Sequence, residues 1–349
     1  MANPTHQKIV LAGHPNGMPK LSDFELVENA MPEVSGGEFL IKTLFLGLEP
    51  RLRLLMNPTT DDNRAMRPHG AMTGPGKVMV GTVLGVVVES KNENYPIGAF
   101  VDGFLGWQNY VLTDGNTNRT NNPEGIHIID ASISPALEFI GALGTPGLTS
   151  LLALKFEGRL KPGETMVVTS AAGLVGSIAG QLGLLVGARV VGLTSTDEKV
   201  SYLTNTLEFD AAINYRSTKN LDAAIKEACP DGVDYYFDNT GGHIAETIKK
   251  QLSANGRVTR CGLVAHYNQD NWGQSEKFAG QFSVHNHVES YEEGREVLAD
   301  LLNSGDIQYE RTIFYGLNSA PQAFIDLLSG KNIGKFLVQV ANDLPDNTV

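Results

Sequence analysis

The stretch "VVTSAAGLVGSIAGQLG" (167–183) joins a short apolar run to a turn rich in glycine, and the turn opens into a second apolar segment. This pattern predicts a strand, a tight turn and a helix. Gly173 and Gly176 fall where the helix begins, although glycine inside a helix costs about 1 kcal/mol relative to alanine. Bare backbone is therefore needed there, either for the tight turn alone or for the close approach of a ligand.

Short apolar strands alternate with helical patterns through the central part of the chain. The predicted strands lie at 165–170, 188–195, 211–214, 233–239 and 256–262, with helices beginning near 174, 197, 219 and 243. This alternation is typical of βαβ units, so we predict an α/β fold with a doubly wound parallel Rossmann sheet. In that setting the glycine turn is predicted to hold the pyrophosphate of a dinucleotide at a helix N-terminus.

The first third of the chain has a different pattern. Its apolar, β-branched runs "EFLIKTLFLG" (38–47), "KVMVGTVLGVVVES" (77–90) and "IGAFVDGFLGWQNYVL" (97–112) are interrupted by glycines. Such runs predict strands that bend, as in a small antiparallel barrel or sandwich, with polar loops at 57–77 and 114–125. After the central part, helices are predicted near 290–303 and 319–328, followed by a last strand at 335–340.

Composition excludes several classes of function. The net charge of −12 disfavours nucleic acid as a partner. The apolar runs are shorter than the ~20 residues that span a membrane. The two cysteines, Cys229 and Cys261, form no C-x-x-C pair, and H-E-x-x-H is absent, so we predict no metal site. We expect a cytoplasmic protein, because this cysteine usage suits a reducing compartment.

The end of the second central strand bears on the choice of cofactor. Sites selective for NAD place a carboxylate there, whereas this chain has Thr194 or Ser195 at that point. Lys199 follows shortly after, Tyr215 and Arg216 follow the third strand, and a hydroxyl-bearing, cationic rim suits the 2′-phosphate of NADPH. The alternative for Lys199 is a solvated lysine on a helix surface.

Several further motifs agree in order and spacing: "LGTPGLTSLLAL" (143–154), "STDEKVSYL" (195–203), "INYRS" (213–217), "DYYFDNTGG" (234–242), "RCGLVAHYN" (260–268) and "GKNIGKFLVQV" (330–340). With the glycine turn they resemble the medium-chain dehydrogenase/reductases. The resemblance is to the zinc-independent branch of leukotriene dehydrogenases, prostaglandin reductases and bacterial NADPH-dependent curcumin reductases. It implies a GroES-like β-barrel catalytic domain at 1–135, rejoined by 306–349, and an NADPH-binding Rossmann domain at 136–305.

The resemblance also implies where the cofactor lies. The glycine turn is expected on the pyrophosphate, Lys199 and Tyr215 on the 2′-phosphate, and Asn239 on the adenosine side. The segment 261–267 is expected to run past the nicotinamide half of the cofactor, and the segment 282–284 to close over that half. Asn332 is expected to reach back to the cofactor. The implied cofactor-binding residues are Gly173, Leu174, Val175, Gly176, Lys199, Tyr215, Asn239, Cys261, Gly262, Leu263, Val264, Ala265, His266, Tyr267, Phe282, Ser283, Val284 and Asn332.

The implied reaction is NADPH-dependent reduction of the carbon–carbon double bond of an enone or alkenal, with curcumin-type diarylheptanoids as possible substrates. Tyr267 is the candidate catalytic residue, because its hydroxyl could hydrogen-bond the oxygen on which charge develops; alternatively it only packs against the cofactor. Trp107 is either a wall of the substrate pocket or an ordinary barrel-core residue. A quinone oxidoreductase and a non-catalytic NADPH-binding structural protein are the alternative functions.

The chain departs from the family pattern at several places that bear on the site, among them Leu151 in place of a frequent Tyr. Arg51 and Leu52 stand where the family usually has Tyr-Met, which could reshape the substrate pocket. Between His266 and Phe282 the family carries a longer segment, so either this protein is shortened there or residues are missing from the sequence. We expect a homodimer joined along a sixth strand of the parallel sheet that ends near 282–285, since pairing would cover an exposed edge.

Overall fold

The structure is a computed structural model that describes residues 5–58, 74–116, 125–269 and 280–349. Large parts of the predicted loops at 57–77 and 114–125, and of the shortened segment between His266 and Phe282, lie outside the described residues. Strands dominate the first part of the chain, with one short helix, α1 (Leu52–Leu55). The strands are β1 (His6–Leu11), β2 (Phe24–Asn29), β3 (Phe39–Gly47), β4 (Val80–Ser90), β5 (Phe100–Gly106), β6 (Tyr110–Thr113) and β7 (His127–Ile128).

Strand β3 is the centre of this part. Nearly all of its side chains are buried, and it pairs antiparallel with both β4 and β6. The register of β3 against β4 shifts twice, and at Gly85 a Cβ atom would lie 2.3 Å from a methyl carbon of Ile41. The glycine therefore leaves room for the Ile41 side chain where the register of the two strands shifts, in line with the glycine-interrupted runs.

The central part of the chain forms the predicted βαβ units. Its elements are α2 (Thr145–Ala153), β8 (Thr165–Thr169), α3 (Leu174–Val186), β9 (Arg189–Thr194), α4 (Asp197–Ser201), β10 (Ala211–Asn214), α5 (Leu221–Ala228), β11 (Val233–Asp238), α6 (Gly242–Lys249), β12 (Leu252–Arg260) and α7 (Tyr291–Ser304). The five strands are all parallel, in the order β10-β9-β8-β11-β12. The order reverses between β8 and β11, and doubly wound sheets bind ligands at such a point. This confirms the predicted Rossmann sheet.

The end of the chain returns to the first sheet through β13 (Arg311–Tyr315), α8 (Ala320–Leu328) and β14 (Lys335–Gln339). Strand β14 pairs antiparallel with β3 and parallel with β13. The resulting seven-stranded sheet, in the order β13-β14-β3-β4-β5-β7 with β6 on β3, is mixed rather than purely antiparallel. The parallel pair arises because α8 provides the crossover that parallel neighbours need.

The residues that precede Gly280 in the expected sixth strand lie outside the described ranges, so this strand stays a prediction. Of the described residues that follow, Gln281 forms a bridge with Arg260, and the chain then turns into a 3-10 segment at Val284–Ser290. The ring of Phe282 packs in the core and stacks on His287 at 5.4 Å, which turns the segment inward. The homodimer expected along that strand stays a prediction. No helix within the described ranges is long and apolar enough to cross a membrane.

We predict that Gly147→Ala destabilises the protein. Alanine is normally favoured over glycine in a helix such as α2 by about 1 kcal/mol. Here a Cβ atom would lie 1.7 Å from the carbonyl oxygen of Ala142, so the backbone must shift. We expect a net loss of about 1–3 kcal/mol, measured by urea denaturation. Gly36→Ala is the matched control, because nothing lies within 4 Å of its Cβ position. Equal stability of the two variants would contradict the clash.

Candidate active site

The carboxyl ends of the parallel strands meet at one edge of their sheet. The residues that follow these ends line a cavity of about 510 Å³ whose other walls come from the mixed sheet and α8. Residues from the five turns that follow the parallel strands therefore line one cavity. The first lining residues after β8, β9, β10, β11 and β12 are Ser170, Ser195, Tyr215, Asn239 and Cys261.

The glycine turn forms one side of this cavity. Ser170 has the left-handed backbone conformation (φ 50°), and Gly173 is the N-cap of α3 with no side-chain cap. The first N–H groups of α3, on residues 174–176, therefore have no acceptor within the helix, and the helix dipole makes them attractive to an anion. At Gly176 a Cβ atom would lie 2.6 Å from the carbonyl oxygen of Ser170. The turn fits the pyrophosphate of a dinucleotide.

Two cations gather where β9 and β10 end. The Nζ atom of Lys199 donates a hydrogen bond to the carbonyl oxygen of Gly330 at 2.7 Å, and this lysine is buried in the cavity wall. Burial, together with the neighbouring charge of Arg216, lowers the pKa of Lys199 to about 8. A Cβ atom on Gly330 would lie within 4 Å of both Arg216 Nη2 and Ser195 Oγ. The alternative of a solvated helix lysine is therefore wrong.

This cluster suits a phosphate on the adenosine ribose. Strand β9 ends at Thr194 without a carboxylate, and the nearest acid, Asp197, accepts a hydrogen bond from Asn214 at 2.7 Å. The carboxylate that would bind ribose hydroxyls in an NAD site is thus replaced by hydroxyls and two cations. The sequence placed Arg216 in this rim without naming it as a binding residue, and it too lines the cavity.

Asp238 stabilises the turn after β11 by accepting hydrogen bonds from its backbone. Its Oδ1 accepts hydrogen bonds from the backbone N–H groups of Thr240 and Gly241 and from the hydroxyl of Tyr236, all at 2.8–2.9 Å. Asn239 in turn donates its side-chain amide to the carbonyl oxygen of Thr169 at 2.8 Å. These bonds fix the turns after β8 and β11 relative to each other, on either side of the point where the strand order reverses.

The segment after β12 leads to Tyr267, a buried residue that lines the cavity. Its hydroxyl oxygen accepts a hydrogen bond from the N–H of Leu263 at 3.5 Å. Burial raises the pKa of Tyr267, so the hydroxyl keeps its proton at neutral pH. Burial also raises the pKa of the Cys261 thiol well above its usual range, so the thiol stays protonated at neutral pH.

The structure brings most of the predicted cofactor residues to this cavity, but not all. Those that line it are Gly173, Leu174, Val175, Gly176, Lys199, Tyr215, Asn239, Cys261, Gly262, Val264, Ala265, Tyr267 and Asn332. Leu263 packs behind Tyr267, and His266 lies beside Gly241. Phe282, Ser283 and Val284 are not part of the cavity lining; Phe282 and Val284 pack into the core instead.

Trp107 belongs to the core of the mixed sheet and not to the lining of this cavity. It is fully buried between Phe24, at 6.2 Å, and Phe324, at 5.8 Å. Its indole N–H has no hydrogen-bond partner among the described residues. This placement corrects the substrate-wall interpretation and supports the alternative of an ordinary core tryptophan.

Sequence reasoning also missed a cluster of charges on the cavity wall. Glu49, Arg51 and Lys335 all line the cavity, and Lys335 is nearly fully buried. Within the described ranges, no group of three or more His, Cys, Asp or Glu side chains is placed to hold a metal ion.

Comparison with known proteins agrees with this architecture. A family model described as the N-terminal domain of oxidoreductase matches residues 7–120, and one described as zinc-binding dehydrogenase matches residues 175–302. The putative NADP-dependent oxidoreductase YfmJ of Bacillus subtilis (strain 168) is 36% identical over 350 residues, covering 97% of this chain and 98% of the relative.

Two further relatives belong to the branch expected from the motifs. Prostaglandin reductase 1 of Rattus norvegicus is 35% identical over 340 residues, covering 94% of this chain and 97% of its own. The crystal structure of CurA from Vibrio vulnificus in complex with NADPH is 30% identical, with a TM-score of 0.84 and coverage of 97% and 100%. The chain therefore belongs to the medium-chain dehydrogenase/reductase family, in the branch of the prostaglandin and curcumin reductases.

Proposed function

We propose that this protein uses NADPH to reduce the carbon–carbon double bond of α,β-unsaturated carbonyl compounds, such as enones and alkenals. The observation that carries the proposal is the single cavity that joins the glycine turn and the Lys199 cluster to the buried hydroxyl of Tyr267. Relatives named as an NADP-dependent oxidoreductase and a prostaglandin reductase support it, as does a similar structure solved with NADPH. NADPH supplies the hydride when it is bound.

The chain's own contribution to this chemistry is electrostatic. As the β-carbon of the substrate accepts hydride, negative charge develops on the carbonyl oxygen, and a hydrogen-bond donor placed there stabilises the transition state more than the ground state. Tyr267 can be that donor because it keeps its proton and lies in a buried environment. The proton that reaches the α-carbon comes from Tyr267 or from water.

The function is tested by following NADPH oxidation with a panel of alkenals, enones, curcumin-type diarylheptanoids and quinones, with analysis of the products. We expect turnover of enones to the saturated ketone. Turnover of quinones alone would favour the quinone oxidoreductase alternative. Binding of NADPH without turnover of any acceptor would favour a non-catalytic protein and overturn the proposal.

We predict that Tyr267→Phe lowers kcat for a simple enone by roughly tenfold to a hundredfold while NADPH affinity stays nearly the same. Loss of one donor to a developing oxyanion costs up to a thousandfold in the strongest cases, and a donor from the bound cofactor would lessen the effect here. The ring, and with it the packing, is retained. Tyr315→Phe on the exposed surface is the control. A wild-type rate in Tyr267→Phe would assign the tyrosine to packing alone.

We predict that the affinity for NADPH weakens as pH rises through the pKa of Lys199. The lysine is protonated below a pKa of about 8 and attracts the 2′-phosphate; above it, the free protein loses this charge. The Kd of NADPH should rise about tenfold between about pH 7 and about pH 9, while the Kd of NADH, which lacks this phosphate, stays constant.

Fluorescence titration of both cofactors measures these constants. Lys199→Ala should bind NADPH more weakly at neutral pH, by roughly tenfold to a hundredfold, and should lose the pH dependence. Lys219→Ala, at an exposed position after β10, should behave like the wild type. Equal affinity of the wild-type protein for NADPH and NADH would contradict the assignment of Lys199 to the 2′-phosphate.

A further inference from the structure

Arg53 is a buried arginine of α1 that is not among the described residues lining the cavity. It is 2% exposed, and the carbonyl oxygen of Gly17 accepts hydrogen bonds from its Nε at 3.1 Å and its Nη2 at 2.8 Å. Nη1 donates to Oδ1 of Asn57, and Nε also donates to Oδ1 of Asn268 at 3.0 Å. One side chain therefore joins the loop after β1, the end of α1 and the segment after β12.

The guanidinium of Arg53 is charged although it is buried. Burial lowers its pKa to about 10, and the nearby charge of Asp23 opposes that fall. Taking a charge out of water is costly unless hydrogen bonds replace those of the solvent, and the acceptors from the three segments do so. Bonds from a charged donor are stronger than those between neutral groups, and the planar fork of arginine holds several acceptors in fixed directions.

The junction formed by Arg53 lies next to the proposed hydrogen-bond donor of the reaction. Asn268 directly follows Tyr267, so the bond from Arg53 fixes one end of the segment that carries this tyrosine. The other end is tied to the parallel sheet, because the N–H of Ala265 donates to the carbonyl oxygen of Thr240 at 3.0 Å. Tyr267 is thus held between an anchor on the parallel sheet and an anchor on α1.

The remaining contact of α1 with this segment is apolar. Leu54, the residue after Arg53, packs against the buried pair Leu263 and Tyr267. Apolar packing is not directional, whereas a hydrogen bond restricts both distance and angle. The bond to Asn268 therefore restricts the segment more closely than the packing of Leu54 does. Such restriction matters for a donor to a developing charge, because a small displacement of the donor weakens its effect on the rate.

We propose that Arg53 is a positioning residue for the reaction, and that it acts through Asn268 to hold the hydroxyl of Tyr267 in place beside the substrate oxygen. This inference rests on the proposed function and adds a residue that makes no contact with the substrate. The charge of Arg53 has no direct role in the chemistry; it strengthens the bonds that join the three segments.

The test removes the bond from the Asn268 side, because a replacement of Arg53 would leave acceptors from three segments unpaired and would lower the stability. Asn268→Leu removes the acceptor, whereas Asn268→Asp keeps an oxygen at the same place. For a simple enone we expect Asn268→Leu to lower kcat by roughly fivefold to twentyfold while the Kd of NADPH stays nearly the same. Asn268→Asp should keep most of the wild-type kcat. Asn303→Leu, at an exposed position of α7, is the control.

A double-mutant cycle distinguishes action through Tyr267 from a general loss of structure. In the Tyr267→Phe background, Asn268→Leu should lower kcat by less than about twofold, because residues that act through one group are not additive. Fluorine NMR of protein labelled with fluorotyrosine gives a readout that does not depend on activity. The signal of Tyr267, identified by its loss in Tyr267→Phe, should shift in Asn268→Leu and stay near its wild-type position in Asn268→Asp and Asn303→Leu.

The outcomes separate this inference from the proposed function. A wild-type kcat in Asn268→Leu, or an undiminished loss in the Tyr267→Phe background, would overturn the inference and leave the proposed function standing. A wild-type rate in Tyr267→Phe would also overturn the inference, since Arg53 would then have no donor to position. If the wild-type protein reduced no enone, the proposed function would fail, and the NMR signal alone would decide whether Arg53 positions Tyr267. An unchanged signal in Asn268→Leu would then overturn the inference too.

Discussion

One backbone hydrogen bond joins the two sheets at the place where the cavity forms. The N–H of Gly334 donates to the carbonyl oxygen of Ala172 at 2.7 Å, and Gly334 forms a bridge with Gly173. Gly334 has φ 62°, and a Cβ atom on it would lie 1.9 Å from the carbonyl oxygen of Glu310, so only glycine fits. The bond ties the glycine turn of the parallel sheet to the start of β14 in the mixed sheet. Asn332 and Lys335, on either side of Gly334, owe their places on the cavity wall to it.

The side of the cavity formed by the parallel sheet is also held by backbone hydrogen bonds. Its lining comes from the ends of parallel strands, whose backbone groups already pair within the sheet, and Asp238 satisfies the N–H groups of the turn that follows β11. The opposite wall depends on side chains, chiefly the ion pairs of Glu49. Binding sites on α/β folds commonly place the phosphate contacts on the backbone and the specificity on side chains. The division here follows that pattern.

The sequence predicts the local parts of this structure well. Alternating apolar runs place the strands of the parallel sheet within a few residues, and the strand ends then identify the glycine turn, Lys199 and Tyr215 as neighbours in space. Asn239 was added by the family resemblance. Contacts that depend on tertiary packing cannot be predicted from local sequence patterns. Glu49 and Lys335 are 286 positions apart, and nothing in either segment signals the other. The inward packing of Phe282 has the same origin, because nothing in the sequence near 282–285 signals that this ring enters the core.

The lining of the cavity is positively charged, although the chain as a whole is negatively charged. The chain has a net charge of −12, yet the described cavity lining holds Lys199, Arg216, Arg51 and Lys335 against a single carboxylate. Like charges at close range disfavour each other, and the lowered pKa of Lys199, due first to burial and then to Arg216, is the sign of this unfavourable contact. The charge of Glu198 opposes this fall, and burial and Arg216 outweigh it. The proposed 2′-phosphate of NADPH would bring a negative charge to this cluster, and the cluster would then be formed before the ligand binds.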